Sequence, residues 1–159
     1  MIVGETHQFA IEFSPTVRPI LGKIGLWFVG RSIHGDGSDY LSYISDFWRV
    51  IVWPHEFVNF PYYNFSHDQI HERVVSEKGN SKEIRKYCID CSGGFEYCLF
   101  ICYILEGNVH VVWSVDRHHQ QGVRSPIVNY AVIPFVVYRD TLTEFAKKNP
   151  LVNFPKVSS

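Results

Sequence analysis

The sequence predicts an α+β fold: a single antiparallel sheet of about six strands, containing a meander, with two or three helices packed on one face. Three observations lead there. Residues 83–116 hold three β-rich runs punctuated by Gly93-Gly94 and Gly107-Asn108, dipeptides that tolerate the positive φ of short primed turns. Helical spacing of apolar residues is confined to three separate stretches. The resulting order, β-β-α-α-β-β-β-β-α, has no βαβα alternation, which argues for helices laid on an antiparallel sheet.

Phe9, Ile11 and Phe13 alternate with Ala10 and Glu12, a first strand that ends at Ser14-Pro15. Residues 23–33 are rich in Ile, Leu, Trp, Phe and Val and read as a second strand, with a bulge or a close backbone approach at one of the interspersed glycines. The loop at residues 34–37 leads to Ser38, a candidate N-cap. Leu41, Ile44, Trp48 and Ile51 then recur at helical spacing until Pro54. Residues 54–65 carry Phe57, Phe60, Tyr62, Tyr63 and Phe65 with no clear period, a loop held down by its rings. Ser66 with Gln69 forms a capping box before Ile70, Val74 and Val75, and Gly79 supplies a stop.

In the meander, a Gly107-Asn108 loop would set Ile104 opposite Val111, Cys102 opposite Trp113 and Phe100 opposite Val115. That side is apolar and should face the core. The side with Ile101, Tyr103, Val112 and Ser114 is mixed and should be partly covered. Residues 116–126 are polar and loop-like. Residues 127–138 read as a last strand, which Pro134 places at an edge or a bulge. Thr141 with Glu144 reads as another capping box, opening a helix that Lys147 and Lys148 suit at its negative end and Pro150 terminates.

A chain of 159 residues suits one domain over residues 1–159. Its net charge of −1 leaves no overall basic footprint for nucleic acid. The opening residues contain no basic region followed by an apolar one, and the longest greasy run, residues 97–105, is far short of the ~20 residues a spanning helix needs. These features predict a cytoplasmic protein with reduced thiols and no membrane partner.

No nucleophile elbow, phosphate-binding loop, dinucleotide fingerprint or His-Glu-x-x-His motif occurs, so no catalytic residue, metal or cofactor is assigned. Cys88-x-x-Cys91 resembles half a zinc site, but Cys98 and Cys102 lie on one strand roughly 13 Å apart in extended chain, too far for one ion. Buried small hydrophobes are the simpler reading of the cysteines, with a Cys88–Cys98 redox pair the alternative if the Gly93-Gly94 turn is shifted. His67 and His71 are four apart on the second helix and offer a two-histidine chelate. A metal-dependent hydrolase or a small-molecule module with a histidine-containing pocket is therefore the alternative function.

Several stretches together carry a resemblance. Met1-Ile2-Val3-Gly4, Phe9-Ala10-Ile11-Glu12-Phe13 and Gly25-Leu26-Trp27-Phe28-Val29-Gly30, then a Gly-Asp loop and the Leu41/Ile44/Trp48 helix, resemble the immunity-42 family of bacterial polymorphic-toxin immunity proteins. The closing Pro134-Phe135, Tyr138 and Leu142/Phe145 segment is similar too. Membership would imply a cytoplasmic inhibitor that neutralises a toxin C-terminal domain encoded upstream, often a contact-dependent inhibition effector and in many cases a nuclease, by stoichiometric occlusion without turnover.

Interface energy concentrates in a few aromatic and arginine anchors ringed by polar groups. On that rule the toxin-binding candidates are Asp36, Asp39, Tyr40, Asp46, Tyr62, Tyr63 and the loop residues Asp116, Arg117, His118 and His119. The competing reading makes the tyrosines core or loop packing and the acids a solvated helix face.

Overall fold

Strand pairing divides the chain into two antiparallel sheets, where the sequence predicts one. The fold is taken from a computed structural model that describes residues 1–15, 21–34, 39–40, 44–90, 98–115, 127–150 and 154. The first sheet runs β1 (Ile2–Glu5), β2 (Phe9–Pro15), β3 (Leu21–Phe28), β4 (Arg31–His34), and the short β5 (Asp39–Tyr40) pairs with β3. The second runs β6 (Cys88–Asp90), β7 (Cys98–Leu105), β8 (Asn108–Val115), β9 (Ile127–Pro134). Between them lie α1 (Ser45–Val52), a 3-10 turn (Pro54–Glu56), α2 (His67–Glu77) and the short α3 (Lys82–Arg85); α4 (Phe135–Lys148) closes the chain.

Alternation explains the first sheet. Val3, Phe9, Ile11, Phe13, Ile24, Leu26, Phe28 and Ile33 all fall on one face by the observed register and all are buried. The opposite face is partly solvated. There the Trp27 indole N–H donates to Glu12 at 3.4 Å, and its ring meets His34 edge-on above Gly25. A Cβ on Gly25 would stand 2.8 Å from His34 Nδ1, so this is the close approach expected of a strand glycine.

The predicted second strand is in fact a hairpin. Val29 and Gly30 have φ of 50° and 80°, the left-handed pair of a primed turn. Valine is an unfavourable residue there, so the local letters give no turn signal. The β7–β8 turn has the same form at Glu106 and Gly107, φ 51° and 74°. The loop therefore sits one residue before the predicted Gly107-Asn108, and the register moves by two: Ile104 faces Val109, Cys102 faces Val111 and Phe100 faces Trp113. An even slip keeps every side chain on its predicted face.

Both faces of the second sheet are covered. Phe100, Cys102, Val111 and Trp113 point toward the first sheet, where Phe28 meets Phe47, Phe100 and Trp113 with ring centroids 5.1–6.4 Å apart. The side predicted to be only partly covered holds Ile101, Tyr103, Val112 and Ser114, all buried beneath α2 and the aromatic segment before it. One apolar cluster takes in both sheets. Two sheets form because each hairpin set has its own continuous apolar face, and facing them across one core buries both.

The helices correct and confirm in turn. Asp39 and Tyr40 are strand, and α1 begins at Ser45, later than a Ser38 cap would place it; Ser38 and Leu41 lie outside the described residues. The Ser66/Gln69 capping box is formed on both sides, at 3.3 and 3.1 Å. The last predicted strand stops at Pro134, an edge position, and helix starts at Phe135, whose N–H donates to Gly107 O at 3.0 Å. Thr141 and Glu144 thus sit inside α4, and Thr141 is buried rather than capping. β1 and α3 have no counterpart in the sequence reading.

Candidate functional site

Residues 58–61 and 63 line one side of a cleft. The Phe57 carbonyl accepts from Ile104 N–H at 2.8 Å, and Val58 O accepts from the Tyr87 hydroxyl at 2.9 Å, pinning the segment to β7 and to the start of β6. Phe60 stacks on Tyr103 at 4.5 Å. Asn59, with φ of 61°, turns the backbone so that Phe60 points inward.

The neighbouring tyrosines part company. Tyr62 packs on Phe60 and Phe65, carries the Arg73 guanidinium over its ring at 5.6 Å, and donates its hydroxyl to the Glu77 carboxylate. That hydrogen bond, then burial, raises its pKa. Tyr62 therefore fastens the aromatic segment to α2. Tyr63 remains 54% exposed and lines an open cleft of about 560 Å³ with Val58, Pro61, Leu105 and Glu106.

A second cleft, of about 630 Å³, has five cations on its walls: Arg49, Lys78, Lys82, Arg85 and Lys86. Asp46 is the one acid among its described lining residues, and Cys88 and Leu99 provide apolar surface. Arg49 donates to Lys86 O at 3.2 Å and lies over the Phe57 ring at 5.5 Å. Arg85 donates through Nε to Lys78 O and through Nη2 to Gly79 O, at 2.9 and 3.1 Å. Lys86 pairs with the exposed Glu83 at 3.1 Å. The local signal was present in the sequence, since residues 78–86 hold four cations and one acid, Glu83. It was masked by the near-zero charge of the whole chain.

A third group lies between α2 and the second sheet, with His71 and Ser114 buried and His67, His110 and Tyr130 half-buried. His71 and Ser114 share a hydrogen bond of 2.7 Å, His67 stacks on Tyr130 at 3.5 Å, and His110 Nδ1 is 2.6 Å from the Tyr130 hydroxyl while stacking on Tyr103. Burial lowers the pKa of all three histidines, against the attraction of Asp68 for His67 and His71 and of Glu106 for His110. Each is therefore held neutral in the fold at a pH where an unfolded histidine, with a pKa near 6.5, takes up a proton. The unfolded state then binds more protons, so stability is full above about pH 6.5 and falls as pH drops from there toward the folded values. The expected result is a urea midpoint that decreases as pH falls from about 6.5 to about 5, less steeply in His71→Gln. A midpoint that is flat over that range would refute the assignment.

The other sequence candidates are distributed as follows. Asp46 lies in the basic cleft and Tyr63 in the aromatic one, so the structure does not join them in one patch. Asp39 and Tyr40 belong to β5, but their side chains are outside the described set, as are Asp36, Asp116, Arg117, His118 and His119. The two-histidine chelate is not arranged for a metal, because His67 and His71 turn to Tyr130 and Ser114. Among the described residues no group of three or more His, Cys, Asp or Glu is placed to hold a metal ion. Cys88 and Cys102 are buried, and burial pushes the Cys102 thiol far up. Cys88 pairs with Ile101, three residues along β7 from Cys98, so the Cys88–Cys98 redox alternative fails on register. Cys91 lies outside the described residues. Among those residues, no helix is long and apolar enough to cross a membrane.

No protein-family model matches the chain, and no curated protein matches it. Among solved structures, CdiI from Burkholderia dolosa AUO158 has a similar fold, with a TM-score of 0.63 over 91% of this chain and 99% of that one, at 12% sequence identity.

Proposed function

We propose that this chain is an immunity protein of the contact-dependent inhibition type, related to the immunity-42 group of polymorphic-toxin systems. In this reading it binds the C-terminal toxin domain encoded upstream and neutralises it in the cytoplasm by stoichiometric occlusion, with a nuclease as the expected target. The observation that carries the reading is the likeness to CdiI, which extends over nearly the full length of both chains. The site chemistry is consistent with a binding role. Its two clefts are open, one with the exposed Tyr63 and the other with Arg49 and Arg85, and tyrosine and arginine are among the residue types enriched at interface hot spots.

Co-expression with the upstream toxin domain tests this directly. The two chains are expected to co-purify at a one-to-one ratio with a dissociation constant on the order of nanomolar, the affinity of a well-packed interface of ordinary size, and to restore growth to cells making the toxin. Failure of both the pull-down and the rescue would end the reading.

A further inference from the structure

We infer that the basic cleft between α1 and the α2–α3 turn is the docking site for an acidic segment of the partner protein. The inference rests on the toxin-binding reading and gives that interface its location and its chemistry. Five of the chain's fifteen Lys and Arg residues line this one cleft, although the whole chain carries a net charge of −1. Such concentration creates a local positive field that the overall charge conceals, and that field selects and steers a negative partner.

The two arginines are already oriented. Arg85 is tied to two consecutive carbonyl oxygens and Arg49 to a carbonyl and a ring face, so little side-chain freedom remains to be lost on binding. Each guanidinium has five N–H donors and uses only one or two of them in these bonds, leaving others for a carboxylate. Lys82 is exposed, and Lys78 and Lys86 are half-buried, which gives mobile charges around a fixed pair.

The walls also select the kind of anion. Cys88 and Leu99 add apolar surface beside the cations, which suits a peptide carrying both carboxylates and aliphatic side chains. Among the described residues that line the cleft none is aromatic, whereas stacking on rings is what single-stranded nucleic acid depends on. At about 630 Å³ it is also far larger than one phosphate group requires.

The test uses the intact protein and its toxin domain, with Lys78→Glu/Lys82→Glu as the main variant, because neither side chain is among the groups that hold the fold's backbone together. Binding is expected to weaken at least tenfold, mainly through slower association, and to lose much of its dependence on salt, while the melting temperature stays near that of the parent. Arg85→Lys, which keeps the charge but not the fork, should weaken binding less. If the parent protein does not bind the toxin at all, the functional reading fails. If the parent binds and the double variant binds equally well, that reading stands and the cleft assignment alone is overturned. Short RNA bound by the free protein and lost in the double variant, with toxin affinity unchanged, would likewise overturn it in favour of a phosphate site.

Discussion

Trp113→Ala is expected to destabilise the protein by about 3–5 kcal/mol, the usual range for removing a large buried ring. The indole is 1% exposed, stands opposite Phe100 on the neighbouring strand, and meets Phe28 of the other sheet at 5.1 Å. It fills the place where the two sheets and α1 converge, since Phe28 also touches Phe47 and Phe100. Collapse around the void is restricted because strands on both sides are fixed by their ladders, so the cavity term should be near its upper end. For a chain of this size the loss corresponds to a fall in melting temperature of roughly 10 °C. Trp113→Phe keeps most of the volume and should cost about 1–2 kcal/mol. Calorimetry of the two variants decides the matter: an alanine variant melting within ~3 °C of the parent would mean that Trp113 is not the joint between the sheets.

Gly4→Ala is expected to be the most damaging single-methyl change, at ~2 kcal/mol or more, because left-handed backbone strain and a steric clash act together. Gly4 has φ of +91°, and a Cβ there would be 2.4 Å from the Phe9 carbonyl oxygen and 2.8 Å from Thr141 Cγ2. The first contact is backbone and cannot rotate away. The second belongs to α4, so relief on that side would push the helix off β1. Gly30→Ala provides the comparison. Gly30 also has a positive φ, +80°, but nothing lies within 4 Å of its added Cβ, so only conformational strain of ~1 kcal/mol remains. Urea unfolding of both variants should place Gly4→Ala clearly below Gly30→Ala. Equal midpoints would show that β1 and α4 are not held in the observed contact.

Some of this was legible in the letters and some was not. The Ser66/Gln69 box was readable because its two hydrogen bonds are local. The face of each meander residue was readable because parity survives the two-residue register shift. The shift itself was not, since Gly107-Asn108 is the better turn by composition. The observed register is held from outside, by the Phe57 and Phe135 contacts to Ile104 and Gly107. The division into two sheets was hidden for a similar reason. Phe9, Phe28, Phe100 and Trp113 announce apolar faces, but nothing local says which face meets which. At the site, Tyr62 and Tyr63 are adjacent and chemically alike, and only Glu77 and Arg73, more than ten residues away, decide that the first is internal and the second exposed. The basic cleft needed Arg49 to be brought from α1 to the cations at residues 78–86, which is a tertiary event.

Phe9 stacks on Tyr138 at 4.9 Å, and the hydroxyl of that tyrosine reaches Phe47 O at 2.7 Å. The contact joins early and late parts of the polypeptide, which has a consequence for synthesis. A ribosome making the chain releases the first sheet long before α4 exists to cover it. At ordinary elongation rates the roughly hundred residues between β4 and Tyr138 take on the order of 5–20 seconds to appear. Until then the Phe9 side of the nascent hairpin lacks its stacking partner and stands open to holdase chaperones.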